Sequence, residues 1–387
     1  MKTVCEENRC TGCMACIGKC AKNAIKIQDN LYAYNAVIDE QKCVNCMQCE
    51  QVCPNNYPII KCKPTKWYQG WAEDISIRSS SSSGGVAAAM MKTFIDRGGY
   101  VASCLFSKGD FLFNITNDIE VAQKFVGSKY VKSNPIGIYS KIEEHLKAKE
   151  KVLFIGLPCQ VAGLKNYIKR LDKSFQDNLY TVDLICHGTP SPRLLEQFLK
   201  EKEIKLSELD NIGFRRKNQF GLSSNTNNDI INLEPERVQD MYTFAFMMSY
   251  DYTENCYTCP YATFQRISDI TLGDSWGTNL SKTEQEKGIS LILCQTEKGE
   301  YLIAETALAL RKVDINNAMQ ANHQLRHPSI RPPEREKFFR NIDKGFHKSM
   351  SKCVPKFYYK QKIKKMLIKL KILRGGEVNQ YRIWIKP

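Results

Sequence analysis

The hydrophobic positions of residues 64–350 fall into short, almost wholly apolar runs that alternate with amphipathic stretches. Two of these runs, Lys151–Ile155 and Tyr180–Ile185, are each followed by a helical pattern, over residues 161–170 and 194–202. An uninterrupted apolar run is typical of a strand buried on both faces, and strands that alternate with helices build a mostly parallel sheet. We therefore predict an α/β domain over residues 64–350.

Shorter patterns predict the other elements. Further strands are expected at residues 24–27, 36–38, 67–71, 99–106 and 111–115, and further helices at residues 86–95 and 138–149. The first 63 residues differ, because they are rich in cysteine and offer only two short strands that can pair as hairpins. We predict three segments: an α+β domain at 1–63, the α/β domain at 64–350 and a basic tail at 351–387.

Two cysteine runs dominate the first segment, and both follow the spacing C-x₂-C-x₂-C-x₃-C. Their members are Cys10, Cys13, Cys16 and Cys20, then Cys43, Cys46, Cys49 and Cys53. This spacing is typical of bacterial two-cluster ferredoxins, in which the fourth cysteine of each run ligates the other cluster. We therefore predict a ferredoxin-like dicluster domain with two 4Fe-4S clusters. The first is held by Cys10, Cys13, Cys16 and Cys53 (the first set), and the second by Cys43, Cys46, Cys49 and Cys20 (the second set).

Zinc and disulfides are the alternatives for these eight cysteines. A zinc site uses four ligands in two pairs and would not explain a doubled run of four. Disulfides need a secretory context, and Met1 leads into the cysteines without an apolar leader. The iron–sulfur interpretation is the one that explains both runs.

Four more cysteines predict a third cluster. Cys159 and Cys186 each follow one of the two apolar strands, and ligands collect at the carboxyl ends of strands in open α/β sheets. Cys256 and Cys259 form a C-x₂-C pair that completes a set of four, the third set. Zinc with four thiolates is the alternative. The remaining cysteines are expected to pack as small apolar residues: Cys5, Cys62, Cys104, Cys294 and Cys353.

The composition indicates a cellular compartment and excludes some classes of binding partner. The 387 residues include 17 cysteines, and reduced thiols with metal indicate the cytoplasm. The formal net charge of +15 invites a nucleic-acid or acidic-membrane partner. We expect no nucleic acid, because no binding motif is present and because each cluster would add negative charge. No apolar stretch reaches the length of a membrane-spanning helix.

Much of the positive charge lies in residues 356–374, which contain no acidic residue and predict a basic helix. Five apolar residues can share one face of it: Ile363, Met366, Leu367, Leu370 and Leu373. Such a helix can lie on an anionic membrane surface or dock on the core of the protein itself. Both remain open, so the predicted location is the cytoplasm, with peripheral contact at the inner face of the membrane as an added option.

A serine- and glycine-rich turn precedes the helix predicted at residues 86–95. The residues singled out as a phosphate contact are Ser81, Ser82, Ser83, Gly84 and Gly85. Free backbone N–H groups and the positive end of a helix dipole suit a phosphate. A flexible linker is the alternative. The dinucleotide fingerprint G-x-G-x-x-G is absent from the strand–helix junctions, so a nicotinamide site is not predicted.

With these motifs the chain resembles the coenzyme F420 hydrogenase/dehydrogenase beta-subunit family, in the form with an N-terminal dicluster ferredoxin domain. The resemblance rests on residues 80–85, 127–133, 156–160, 183–188, 256–261 and 269–277. It implies that residues 64–350 form a flavin-binding domain that holds FAD near an iron–sulfur cluster. It further implies that Ser81–Gly85 contacts the pyrophosphate and that Lys129, Tyr130 and His187 lie near the isoalloxazine. His187 and Lys129 are the catalytic candidates.

The resulting prediction is an iron–sulfur flavoprotein oxidoreductase that relays electrons between 4Fe-4S clusters and FAD and acts on an organic substrate of unknown identity. Two alternatives stand beside it: an electron-transfer subunit of a larger complex, and a redox factor in envelope polysaccharide synthesis. The expected partner is a ferredoxin or a larger enzyme complex. An open pocket lined by Arg215, Lys217 and His187 would favour an enzyme, and a closed flavin face would favour a subunit. Electrons are expected to enter singly through the ferredoxin cubes, and nothing marks a deazaflavin pocket.

Overall fold

The computed structural model describes residues 2–226 and 229–373. Side chains are described for these residues except at 225–226 and 229–232. The N-terminal segment is small and builds its elements around the cysteine runs. They are α1 Ala15–Lys19, β1 Ile25–Asp29, β2 Tyr34–Ile38 and α2 Gln48–Gln51. The strands β1 and β2 pair antiparallel, as predicted, with Ile25 opposite Ile38 and Asp29 opposite Tyr34.

The next part of the chain supplies the strands of a large sheet and the helices that cover it. These elements are β3 Lys66–Ala72, α3 Ile75–Ser80, α4 Val86–Asp96, β4 Tyr100–Ser107, β5 Asp110–Thr116, α5 Ile119–Gln123, α6 Ile138–Lys147, β6 Val152–Gly156, α7 Pro158–Ile168, α8 Lys173–Gln176, β7 Leu179–Leu184 and α9 Pro192–Lys200. Each strand and helix predicted over this range is present, with ends that differ by one to three residues. The strand β6 is buried along its whole length, as its uninterrupted apolar run requires.

The last part of the chain adds a second sheet and returns three strands to the first. Its elements are β8 Asn211–Arg216, β9 Gln219–Thr226, β10 Asp229–Asn232, α10 Met241–Met247, β11 Ile270–Asp274, α11 Lys282–Lys287, β12 Ser290–Cys294, α12 Glu297–Glu305, β13 Leu308–Arg311, α13 Ile315–Ala321, α14 Glu334–Asn341, α15 Phe346–Cys353 and α16 Pro355–Lys369. Among the described residues, no helix is long and apolar enough to cross a membrane.

The eight-stranded sheet has the order β13-β3-β12-β11-β7-β6-β4-β5. The central neighbours β11, β7, β6 and β4 run parallel, and the outer pairs are antiparallel. The sheet is therefore mixed. The carboxyl ends of β6, β7 and β11 lie at one edge, because the three strands are parallel neighbours. An α/β domain was predicted, and this part of the prediction is confirmed; the size of the sheet was not predicted.

Alternate residues of β6 reach opposite faces of the sheet. Val152 and Phe154 belong to a core that also contains buried residues of α6, α7 and the N-terminal cysteine segment. Leu153 and Ile155 belong to a second core with α4 and α12. The cysteine-rich segment therefore packs on one face of the main sheet and shares its core. The division of the chain near residue 63 remains a prediction.

The three-stranded antiparallel sheet β10-β9-β8 was not predicted. It packs with α9, α10, α14 and α15 around a third core. The largest fully buried side chains of this core include Phe198, Phe214 and Phe338. This unit lies beside the main sheet and brings Arg215, at the end of β8, to the carboxyl edge of β11 through an ion pair with Asp274.

Candidate functional site

The first set of cysteines surrounds one small cavity. Cys10 and Cys13 enter it from the loop that leads into α1, Cys16 from the first turn of α1, and Cys53 from just after α2. All four are buried. The fourth ligand thus comes from the other run, as the crossing rule predicts. Gly12 has a φ of 73° and Met14 a φ of 59°, so the loop turns twice through the left-handed region to aim three thiols at one point.

The second set repeats this local geometry on a more exposed surface. Met47 has a φ of 60° and precedes α2 just as Met14 precedes α1. Burial raises the pKa of Cys49, and the nearby Cys20 thiolate raises it further, so the crossing partner is again close. Cys46 is exposed to solvent. The second set is therefore the one a docking protein can approach.

The third set comes together at the carboxyl edge of the main sheet. Cys159 lies at the start of α7, directly after β6, and Cys186 follows β7. Burial raises the pKa of Cys186 to about 12, and the neighbouring Cys256 and Cys259 thiolates contribute to the shift. Burial also raises the pKa of Cys159, to which Cys186 and Cys259 contribute. Four cysteines from three distant stretches of sequence thus form one group.

The donor sets fit iron–sulfur cubes. Among the described side chains, no three His, Cys, Asp or Glu residues are arranged to hold a metal ion on their own. A mononuclear zinc site requires four sulfurs at about 2.3 Å from one ion. In a cube each thiolate binds a different iron, so the thiols stand farther apart around a central space. The cavity enclosed by the first set has this form.

The three sets lie next to one another in the order second, first, third. The thiolate of Cys49 contributes to the raised pKa of Cys16 after burial and Cys13, which places the second set beside the first. At Gly163 on α7, an added Cβ would lie 3.1 Å from both the Cβ and the Sγ of Cys13. The helix that carries Cys159 in its first turn therefore lies directly against a cysteine of the first set.

Two tyrosines fill the space between the first and third sets. Burial raises the pKa of Tyr261, and the thiolates of Cys159 and Cys13 raise it further. Burial and the same two thiolates raise the pKa of Tyr139, which donates a hydrogen bond of 3.1 Å to the carbonyl of Gln160. Two buried aromatic rings therefore lie between the first and third sets.

Lys132 is a buried cation at the same junction, and sequence analysis assigned it no role. Only 5% of it is exposed, and its Nζ donates to the carbonyl of Thr11 at 3.0 Å. Its charge lowers the pKa of Cys159 and Cys186, which burial raises. The signal available in the sequence was its position within residues 127–133, one of the stretches that carry the family resemblance.

Arg266 holds the loops of the third set together. Its guanidinium forms a buried ion pair with Asp183, with Nη2 and Oδ1 at 2.8 Å. It also donates to the backbone carbonyls of Tyr261 and Leu184. Its own backbone forms a bridge with Cys62. One side chain thus ties the end of β7, the C-x₂-C loop and the exit of the N-terminal segment into one structure.

The serine-rich turn is built differently from the prediction. Residues 79 and 80 belong to α3, and the hydroxyls of Ser79, Ser80 and Ser81 donate to carbonyls of that helix. Gly84 packs against the sheet, since an added Cβ would lie 2.5 Å from the carbonyl oxygen of Gly70. Gly85 has a φ of 82° and precedes α4, which has no side-chain cap. The N–H groups of the first turn of α4 are therefore the phosphate donors the turn offers.

Basic side chains border this turn. Lys217 donates to the carbonyl of Ser83 at 2.9 Å, and burial together with Arg78 and Arg215 lowers its pKa to about 8. The guanidinium of Arg215 donates two hydrogen bonds, of 2.7 and 3.0 Å, to the carboxylate of Asp274. It also donates to the hydroxyl of Tyr130 at 3.3 Å. The Arg215 side chain is only 5% exposed. Arg215 therefore does not line an open pocket for an anionic substrate.

The predicted catalytic residues lie in different environments. Lys129 donates to the carbonyls of Phe125 and Val126, and burial lowers its pKa to about 8. Burial and His323 lower the pKa of His187 to about 4, so its imidazole is neutral at neutral pH. Gln324 Nε2 lies 2.6 Å from His187 Nδ1, an arrangement that leaves the ring proton on Nε2. Sequence analysis missed both His323 and Gln324, which lie outside every recognised motif.

The comparisons with known proteins define the class first. Residues 9–57 match the family model described as a 4Fe-4S dicluster domain. The chain is therefore an iron–sulfur protein with two 4Fe-4S clusters in its N-terminal segment, and its class is that of electron-transfer proteins.

The family follows from a second match. Residues 149–317 match the model described as the C terminus of the coenzyme F420 hydrogenase/dehydrogenase beta subunit. Residues 149–317 are thus similar to this oxidoreductase family and residues 9–57 to a 4Fe-4S dicluster domain, and the predicted resemblance is confirmed. These matched ranges include all twelve cysteines of the three sets.

A chain of the F420-reducing [NiFe] hydrogenase complex from Methanosarcina barkeri is similar in structure. The alignment covers 74% of the present chain and 97% of that chain, with 16% identity and a TM-score of 0.47. A search of curated proteins finds no match.

Proposed function

We propose that this protein relays single electrons from a docked redox partner to a flavin at the carboxyl edge of its main sheet, and that a third 4Fe-4S cluster links the two. The observation that carries this proposal is the arrangement of the three sets of cysteines. They run from exposed Cys46, through the buried first set, to the third set beside His187. Their order in space is the order a relay requires.

The protein supplies a dry and fixed path between these sites. Gly163 lets α7 approach Cys13 closely, and Tyr139 and Tyr261 exclude water from the gap. Lys132 provides a positive charge that favours the more negative, reduced state of a nearby cluster. When bound, the clusters would pass single electrons and a flavin would combine two of them for two-electron chemistry.

The third cluster would be held by Cys159, Cys186, Cys256 and Cys259. The buried ion pair of Asp183 and Arg266 fixes the loops that present these thiols. Zinc would satisfy the same donors chemically, but it would leave the path from the first set without a redox-active end. The proximity of Cys13 to Cys159 therefore supports iron at this site.

The proposed flavin is FAD, with the turn Ser81–Gly85 at its pyrophosphate. The uncapped first turn of α4 and the adjacent Lys217 support this assignment. Tyr130, stacked on Phe246 with ring centroids 4.2 Å apart, would offer an aromatic wall. Lys129 and neutral His187, with its proton on Nε2, would offer donors near the reacting ring. Roles for both as catalytic residues remain part of this proposal.

An electron-transfer subunit is the second candidate, and one observation favours it. Arg215 is buried and bound to Asp274, so the basic residues suggested for a substrate are engaged within the protein. The family model that matches residues 149–317 also describes one subunit of an enzyme. A partner protein could therefore supply or receive the electrons at both ends, in place of a small organic substrate.

Metal and flavin analysis tests the proposal. Anaerobically purified protein should contain about twelve irons per chain and one FAD. Cys159→Ser should lower the iron content by about four while the ferredoxin signals in the reduced protein persist. Cys294→Ser is the matched control, since Cys294 is buried in the same sheet and belongs to none of the three sets.

Other iron, zinc and flavin contents would contradict parts of the proposed relay. Eight irons with stoichiometric zinc would remove the third cluster and end the relay at the first set. Twelve irons without flavin would leave a pure electron carrier. Flavin reduction by a low-potential one-electron donor should outpace reduction by NADH, and Cys46→Ser should abolish that advantage if electrons enter through the second set.

A further inference from the structure

Cys5 is a fifth thiol at the site of the first set. The segment around it runs beside β2, where Val4 N donates to the carbonyl of Ala36 at 2.9 Å. This pairing turns Cys5 into the cavity enclosed by the first set. Cys5 is 8% exposed, and Asn55 Nδ2 lies 3.5 Å from its sulfur. Packing as a small apolar residue was predicted, but Cys5 lines the same cavity as Cys10 and Cys53.

We propose that Cys5 serves as a reserve ligand of the first cluster and takes over an iron when Cys10 or Cys53 is lost. This inference rests on the proposed assignment of the first set to one cube. In a protein that lacks Cys53, the Cys5 sulfur would bind the iron that Cys53 otherwise holds. The proton of the Cys5 thiol would pass to solvent, and no electron would be transferred.

Iron content separates this role from simple packing. Cys53→Ala should keep most of its first cluster, whereas Cys5→Ala combined with Cys53→Ala should lose about four irons per chain. Cys10→Ala, with and without Cys5→Ala, gives an independent pair. Cys5→Ala alone should keep all the iron. Cys46→Ala, a change in the second set, is the control, because Cys5 lines the cavity of the first set.

The spectrum of the reduced protein adds a readout that does not depend on activity. In Cys53→Ala the electron paramagnetic resonance signal of the first cluster should shift without vanishing, since one ligand has changed. Equal iron loss in each single variant and its double would show that Cys5 only packs. Fewer than eight irons in the unaltered protein would instead contradict the proposed ligand sets.

A second inference comes from α16, which is attached to the protein by its polar side. Lys365 pairs with Glu234 at 2.7 Å, and Lys364 donates to the carbonyl of Arg237 at 2.6 Å. Phe357 stacks on Phe244 with centroids 3.9 Å apart. The helix is therefore docked, as one of the two predicted options held, but through Phe357 and two lysines and not through the predicted apolar face.

The apolar residues of α16 and of the turn that follows it face outward. Tyr359, Ile363, Met366, Leu370 and Ile372 are each 52–66% exposed. Of the predicted apolar face, Leu367 and Leu373 are half-buried. Exposed lysines flank this apolar stripe: Lys356, Lys360, Lys362, Lys369 and Lys371. Acidic residues are absent from positions 356–373.

We infer that this apolar stripe lies on an anionic lipid surface. An apolar stripe bordered by lysines is the pattern of an interfacial helix, because lysine stems reach sideways to the headgroups while the apolar side chains enter the acyl boundary. Each lysine near the surface adds about 1 kcal/mol of attraction to anionic lipid. The lack of any acidic residue makes a lipid surface a better match than a second copy, whose α16 would carry the same charge.

Vesicle binding tests this inference independently of the redox function. The full chain should co-sediment with phosphatidylcholine vesicles that contain phosphatidylserine, less so at high salt, and not with phosphatidylcholine alone. The triple variant Ile363→Gln, Met366→Gln and Leu370→Gln should bind at least about tenfold more weakly. The matched control is Ile60→Gln, Ile75→Gln and Ile330→Gln, which changes three isoleucines that are 87, 82 and 77% exposed elsewhere.

Two results would overturn the inference that the apolar stripe lies on an anionic lipid surface. The absence of binding to anionic vesicles at low salt would exclude a lipid surface. A concentration-dependent dimer in sedimentation velocity, abolished by the α16 triple variant and present without lipid, would assign the stripe to a second copy.

Discussion

Lys132 shows how much one buried charge can matter to a redox protein. Its ammonium lies between the first and third sets, donates to Thr11, and sits 5.1 Å above the ring of Tyr34. A cation in a dry site stabilises whichever cluster state is more negative. Since reduction adds negative charge, Lys132 should hold the potentials of both neighbouring clusters higher than they would otherwise be.

Replacement of Lys132 by methionine should therefore make those potentials more negative. A loss of roughly 1 kcal/mol of attraction corresponds to about 40 mV for one electron. The measurement is a redox titration followed by electron paramagnetic resonance. Lys92→Met, a change at an exposed lysine paired with Asp96, is the control. If Lys132→Met protein with a full iron content had unaltered cluster potentials, this role of Lys132 would be contradicted.

Asp251 is a second buried group with a measurable consequence. It is completely buried, and neither carboxylate oxygen has a hydrogen-bond partner among the described residues. Burial raises its pKa well above the usual value, although Arg335 opposes the shift. The folded state thus holds a proton that the unfolded state releases above about pH 4. Stability should fall as the pH rises above that value.

Asp251→Asn removes this titration. The variant should be more stable than the natural protein at pH 7, by at least about 1 kcal/mol, because its folding requires no uptake of a proton by a buried carboxylate. The difference should shrink as the pH falls to 4. Unfolding by urea at a series of pH values measures it. A difference that does not change with pH would mean that Asp251 does not titrate as proposed.

At the level of elements, the close approach of α7 to the first set is the decisive contact. The added Cβ of Gly163→Ala would lie 3.1 Å from Cys13, so the helix or the cysteine loop must shift by a few tenths of an ångström. Overpacking of this kind costs about 1–3 kcal/mol. We expect lower thermal stability and slower electron transfer between the first and third sets.

Stopped-flow reduction of the loaded protein, together with a thermal scan, checks this expectation. Gly221→Ala is the matched control, since its Cβ would lie 3.6 Å from Asp240, an ordinary contact. Similar effects in both variants would remove the special role of the α7 contact.

The elements of the main sheet could be predicted because their sequence patterns are strong. The apolar run of β6 and the alternation of β1 and β2 specify strands from local sequence alone. The three-stranded sheet β8–β10 could not be predicted, because its strands are polar and gain their burial from α10 and α15. The serine-rich stretch was predicted as a turn, but residues 79–80 continue α3. Their hydroxyls donate hydrogen bonds to a backbone carbonyl of that helix.

In the candidate functional site, too, some features could be predicted from the sequence and others could not. Cysteine spacing predicted the crossing of the first and second sets, since the ligand pattern is local and repeated. Positions of Cys5, Lys132 and Gln324 depend on long-range packing, which no short motif encodes. The environment of His187 likewise required the structure, because burial among His323 and Gln324 determines its charge state.

At the scale of the whole molecule, the second set of cysteines is more exposed than the first. Cys46 is exposed, whereas the first set is buried beneath α6 and α7. Air or a chelator should therefore remove iron in two phases. The first phase should release about four irons from the second set, and the second, slower phase the remainder.

Iron release followed by absorbance, with the surviving cluster identified in the reduced protein, measures these phases. Lys2, whose ammonium donates to Asn45 in the loop of the second set, offers a variant. Lys2→Ala should hasten the first phase only. Single-phase loss of all the iron would mean that the clusters leave by one cooperative opening.

The core shared by the cysteine segment and the main sheet has a mechanical consequence. Buried residues from α1, β2, α6 and α7 pack in one continuous cluster, and Tyr167 donates to the carbonyl of Gly18 across it. A carrier on a flexible tether must swing between donor and acceptor, so its rate follows the viscosity of the medium. This segment cannot swing. Its rate of electron transfer should therefore not change when glycerol is added. A ferredoxin from another protein could replace this segment only if it presented the same apolar surface to the main sheet.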